Sequence, residues 1–84
     1  MDEKRKLIRT EIKNYLLKFK DSLHCLIDKH LVQINANINF NNEIKVSLAE
    51  IVDEIILLEK EGFFEKDENE CFKYYIKDDI SKII

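Results

Sequence analysis

The chain has no proline and a single glycine, Gly62, among its 84 residues. That excludes a glycine-rich phosphate loop and leaves nothing that reads as a linker or a low-complexity segment. Internal repeats are absent as well. No apolar run approaches the roughly 20 residues of a membrane span. The N-terminus is charged and lacks the apolar core and small-residue cleavage site of a signal peptide. These absences predict a cytoplasmic chain that neither spans nor enters a membrane. Cysteine is scarce. Cys25 and Cys71 cannot make a disulfide framework and read as small core residues in a reducing compartment. With His24 and His30 they lack the spacing of the usual zinc motifs, so no metal site and no cofactor is expected. No Ser–His–Asp or Cys–His arrangement suggests itself, and Asp78–Asp79 reads as a helix cap rather than an acid–base pair. Catalysis is therefore not expected.

What is present is a hydrophobic content of 45%, enough to argue against disorder. The length suits one domain over residues 1–84 with a thin core, for which self-association would be a gain.

From residue 3 to 31, Ile8, Ile12, Tyr15, Leu16, Phe19, Leu23, Leu26, Ile27 and Leu31 recur in steps of three or four, the period of a helical face. Asp2 suits the N-cap. The helix is either continuous or broken at Lys20–Asp21–Ser22, where Asp21 or Ser22 could cap a second one. Then the period changes. In VQINANINF, Val32, Ile34, Ala36, Ile38 and Phe40 alternate with polar residues, which predicts a half-buried strand. Ile44–Leu48 alternates too. A loop at Asn41–Asn42–Glu43 would pair the two as a hairpin with one apolar face. A short helix and loop over Ala36–Asn42 is the rival reading, made unattractive by asparagines at 35, 37, 39 and 41.

Ser47 and Glu50 stand in capping-box spacing before a helix whose apolar positions are Leu48, Ile51, Val52, Ile55, Ile56 and Leu58. Gly62 falls where a left-handed glycine ends a helix. FFEK and CFKYYI then read as aromatic-rich strands joined by a polar turn at 67–70, with a short closing turn at DDISKII. Alternation places Phe63, Phe72, Tyr74 and Ile76 on one face, and Phe64, Cys71 and Tyr75 on the other. The predicted class is α+β, in the order α–β–β–α–β–β with a long N-terminal helix.

Leu48, Ile51, Ile55, Leu58, Glu59, Glu61, Gly62, Phe63 and Phe64, followed by Tyr74 and Ile76, resemble the helix–glycine–hairpin pattern of winged-helix domains. The resemblance covers Leu48–Ile76, about a third of the chain. It implies a small winged-helix-like domain, with the hairpin as the wing. It also implies that the helix at 47–61 would enter a DNA major groove.

Charge opposes that last implication. Between Ser47 and Glu70 stand nine acids against Lys60 and Lys66, a balance of −7. Duplex binding rests on cations that neutralise phosphates. Nor does the helix carry Arg, Asn or Gln to read a base edge. Residues 1–20 balance to +4, through Lys4, Arg5, Lys6, Arg9, Lys13, Lys18 and Lys20. Two functions follow. The first is a non-enzymatic protein-binding domain (an adaptor, inhibitor or assembly factor). Its acidic helix and hairpin would present Glu50, Asp53, Glu54, Phe64 and Tyr75 to a partner with a basic surface. The second is a DNA-binding transcriptional regulator that contacts DNA through Lys4, Arg5, Lys6, Arg9 and Lys13. A homodimer is expected in either case. Its basic helix would lie on the acidic helix of the other copy, with Lys13 and Lys18 near Glu50 and Glu54.

Overall fold

The computed structural model describes residues 2–19 and 22–83. The elements are α1 (Glu3–Lys18), β1 (Cys25–Ile27), α2 (Asp28–Asn41), α3 (Leu48–Lys60), β2 (Phe64–Lys66) and β3 (Lys73–Ile76), closed by a 3-10 turn at Ile80–Lys82. The three strands form one antiparallel sheet in the order β1-β3-β2. The class is α+β, as expected, but the order is α–β–α–α–β–β.

α1 starts where Asp2 caps it, the side chain accepting from the Arg5 N–H. It stops at Lys18, so a continuous helix from 3 to 31 does not form. Ser22 and Leu23 donate backbone N–H groups to the Phe19 carbonyl, which turns the chain. The expected cap at Asp21 lies outside the described residues, and Ser22 caps no helix, because α2 begins only at Asp28. Instead Cys25–Ile27 becomes a strand paired with β3, Leu26 opposite Tyr74.

The hairpin expected over residues 32–48 is overturned: Asp28–Asn41 is a helix. Ile34 and Ile38, four residues apart, satisfy a strand period and a helix period equally well. With Leu31 they make a helical face that is fully or nearly fully buried. Val32, Ala36 and Phe40, which a strand would bury with them, lie outside; Phe40 is 89% exposed. Asparagine is a poor helix former because its carboxamide competes for backbone groups. Here that competition is put to use. Asn39 Oδ1 accepts from the Val46 N–H at 2.9 Å, and Asn39 Nδ2 and Asn35 Nδ2 donate to the Val46 carbonyl at 3.1 and 2.9 Å. Val46 is thus tied to α2, and the segment between α2 and α3 joins no sheet. Asn41 and Asn42 donate side-chain N–H groups to the carbonyls of Asn37 and Ile38 in the last turn of α2.

α3 follows its sequence signals closely. Ser47 Oγ accepts from the Glu50 N–H while the Glu50 carboxylate accepts from the Ser47 N–H. At the other end Gly62 has φ +96°. Its N–H donates to the Glu59 carbonyl, and that of Phe63 donates to Leu58, closing a left-handed glycine cap.

In the terminal hairpin Phe64 pairs with Ile76 and Glu65 with Tyr75. Paired residues share a face, so Phe64 belongs with Tyr74 and Ile76, not with Tyr75. Phe64 is 2% exposed and Tyr74 5%, both in the core. That core also takes Ile8, Ile12 and Leu16 from α1, and Ile51, Ile55 and Leu58 from α3. Asp79 caps the closing turn, whose Ile80 is buried and which packs on α1. Cys25 is half-buried and Cys71 exposed, so Cys71 is not the core residue expected.

Candidate interaction surface

On α3, the carboxylates of Glu50, Glu54 and Glu61 turn toward α1. Lys4 Nζ lies 2.9 Å from Glu50. Arg5 Nε and Arg9 Nε both donate to Glu54, the latter at 2.7 Å. The other end of the Arg9 guanidinium reaches both oxygens of Glu61 at 3.0 and 2.6 Å. The pairs run in the same order along both helices. Arg9 and Glu54 are each 3% exposed, so the centre of this clamp is withdrawn from water. The hydrogen bonds from Arg9 hold the Glu61 carboxyl below its ordinary range. The bond from Lys4, with the Ser47 backbone bond, does the same for Glu50. Arg9 is correspondingly raised, chiefly by Glu61.

The clamp relocates most of the residues singled out from sequence. Among those assigned to an acidic contact surface, Glu54 and Phe64 are buried and Glu50 is tied to Lys4. Asp53 and Tyr75 remain exposed. Of the basic residues assigned to DNA, Arg5 and Arg9 are engaged with Glu54, and Arg9 is inside the protein. Lys6 and Lys13 have no carboxylate partner among the described residues. The attraction between basic helix and acidic helix, expected between two copies, is satisfied within one. With Glu65 paired to Lys77 as well, five of the nine acids between Ser47 and Glu70 remain without an ion-pair partner among the described residues, against Lys60 and Lys66.

The outward side of α3 is left to Leu48, Ala49, Asp53, Ile56 and Lys60, with Val52 at its edge packed against the core. Leu48, Ala49, Asp53 and Lys60 are exposed, and Val52 and Ile56 half-buried. Leu48, Val52 and Ile56 belong to the apolar face expected of this helix, yet Leu48 is exposed and the other two are only half-buried. The available signal was that the apolar positions of this helix cover more than the single face that a core takes up.

The outer face of the sheet carries Tyr75, whose hydroxyl donates to Asp67. That bond, with the N–H groups of Asn69 and Glu70, pulls the Asp67 carboxyl down to about 2. Lys73 Nζ stands over the Tyr75 ring at 5.4 Å. The loop from 67 to 70 is therefore ordered by its own acid.

An open groove of about 520 Å³ runs between α1 and α2, lined by Glu11, Asn14, Tyr15, Lys18, Phe19, Gln33, Asn37 and Asn41. His30 accepts from the Ile27 N–H at 3.0 Å and its ring lies tilted against that of Tyr15, with centroids 6.0 Å apart, which is a structural role at the start of α2. No three His, Cys, Asp or Glu side chains converge as a metal set among the described residues. Nor is any helix among them long and apolar enough to cross a membrane. Comparisons of the chain with protein-family models, with curated proteins and with solved structures gave no match.

Proposed function

We propose that this chain is a winged-helix-like, non-enzymatic protein-binding domain whose contact surface is the outward side of α3 with the adjoining hairpin. The fold part of this reading draws support from the two helices α2 and α3, joined by a short link ahead of the hairpin. A winged helix places a compact pair of helices ahead of its wing, and this succession of elements supports that reading. The observation that carries the functional part is the direction of the charges on α3. Its acids Glu50, Glu54 and Glu61 bind α1, and what faces outward is apolar at Leu48, Ala49 and Ile56, with Asp53 on the rim. Apolar centres with charges at the edge suit protein contacts. They do not suit phosphates, and three of the five cations that could have approached DNA are held by α3. The partner is a protein with an apolar centre and basic rim, facing Asp53, Glu59 and the acids of the 67–70 loop.

The test is capture from a host lysate by wild type, by the double variant Ala49→Arg with Asp53→Arg, and by Lys82→Glu as a distant control. Both residues of the double variant are exposed, so the fold should survive, as circular dichroism would verify. The expected result is a species bound by wild type and by the control and lost with the double variant. Identical profiles from all three, or a salt-sensitive mobility shift of duplex DNA with purified wild type, would overturn the reading.

A further inference from the structure

We propose that α2 is a self-association surface, pairing antiparallel with α2 of a second copy about a two-fold axis at Ala36. Val32, Ala36 and Phe40 are spaced by four and form one stripe along the helix. All three are exposed, Val32 at 55% and Phe40 at 89%. Ala36 lies midway between the other two. A two-fold through Ala36 therefore lays Val32 of one copy against Phe40 of the other, twice, and the small central side chain lets the helix backbones approach.

Charge selects the occupant. Residues 31–42 contain no Asp, Glu, Lys or Arg, in a chain that is 37% charged and carries a net −3. A symmetric contact sets each surface against itself, so any charge near the axis meets its own like. A heterologous partner steered by charge would find nothing here to steer it. The polar groups beside the stripe are carboxamides, and each holds a donor and an acceptor, so it complements its own copy. Gln33 and Asn37, already joined at 2.8 Å, run parallel to the apolar stripe and supply a neutral rim. Interfaces between copies favour such charge-depleted centres. The inference does not rest on the reading of α3.

α2 has 14 residues, hence a length of about 21 Å at 1.5 Å per residue. A single helix pair of that length is a small interface. The dimer is accordingly expected to be weak, with a Kd on the order of 10–100 μM, at the low end of stable contacts.

The experiment is sedimentation equilibrium on the full chain from about 10 μM to 1 mM, under reducing conditions because Cys71 is exposed. Wild type should pass from monomer to dimer mass across that range. Ala36→Glu and Ala36→Lys each place like charges on the axis and should lower the affinity at least roughly tenfold, moving the transition to correspondingly higher concentration. An equal mixture of the two variants should dimerise again, since residue 36 then meets its opposite charge. Ala36 is exposed, and Glu and Lys are good helix formers, so helix content should not change. Monomer mass at 1 mM for wild type, a transition that neither substitution moves, or a mixture that associates no more tightly than the separate variants would each overturn the proposal.

Discussion

Glu54→Ala should be among the most damaging substitutions on the surface of α3, although sequence alone would rank Glu54 with its solvated acidic neighbours. Its carboxylate is 3% exposed and accepts from both Arg5 and Arg9. Truncation leaves the Arg9 guanidinium, itself 3% exposed, with one of its carboxylates gone. Breaking a buried pair from one side costs about 3–5 kcal/mol. Glu61 still neutralises Arg9 and is half exposed, which argues for the lower end, about 3 kcal/mol. A chain of 84 residues has a total of roughly 4–13 kcal/mol to lose. Urea unfolding followed by circular dichroism would read the effect. With a slope of about 1 kcal/mol per molar for so small a domain, the midpoint should fall by roughly 3 M. The paired replacement Arg9→Met with Glu54→Leu removes both charges at once. It should recover most of that loss, because an apolar pair of similar volume is often as stable as a buried ion pair. The exposed partners Arg5 and Glu61 then return to water. If Glu54→Ala moves the midpoint by less than about 0.5 M, the clamp is solvated in solution, and the account of α3 as a helix with its charges turned inward fails.

Asn39→Leu removes the acceptor for the Val46 N–H and one of two donors to its carbonyl, so a cost of about 1–3 kcal/mol is expected. Asn39→Asp keeps the acceptor and should lose less, and faster hydrogen exchange at the Val46 amide in the Leu variant alone would locate the effect; equal urea midpoints for wild type and Asn39→Leu would contradict it. Acid stability should depend on Asp67, whose carboxyl falls from 3.8 to about 2 in the folded protein. A depressed carboxyl stabilises the fold above its unfolded value and loses that contribution as pH falls through the folded one, so the Asp67 share should disappear between about pH 4 and pH 2. Glu50 and Glu61 are depressed in the same sense. A thermal melt series on wild type and Asp67→Asn should show the two curves converging only below pH 4; convergence already at pH 5 would mean that the Tyr75–Asp67 bond does not persist in solution.

The features legible in the sequence are those that a few neighbouring residues settle among themselves. Asp2 caps α1 and Ser47 with Glu50 caps α3 because the partners lie within three residues of each other. Gly62 ends α3 because the chain needs a positive φ there, and glycine supplies it without a steric cost. The polar turn between two aromatic runs gives the terminal hairpin for similarly local reasons. From there, too, comes the recognition that an acidic helix suits nucleic acid poorly.

Other features depended on residues far apart in the chain. α2 is a helix because Ile34 and Ile38 find α1 and α3 to pack on, and because Val46, seven residues beyond Asn39, takes up the carboxamides that would otherwise disfavour it. Alternation in the sequence could not separate that outcome from a strand, since a spacing of four fits both periods. The face of Phe64 was decided by its register with Ile76 across the hairpin. The charges of α3 changed meaning for the same kind of reason. A count along the chain sees nine acids and two bases, but Lys4, Arg5 and Arg9 come from a helix some 45 to 52 positions away and neutralise three of those acids from the side. Local sequence determined the start of α1, both ends of α3 and the terminal hairpin, whereas only the packing of α1 on α3 decided which charges meet water, because ion pairing depends on distance in space and not on distance along the chain.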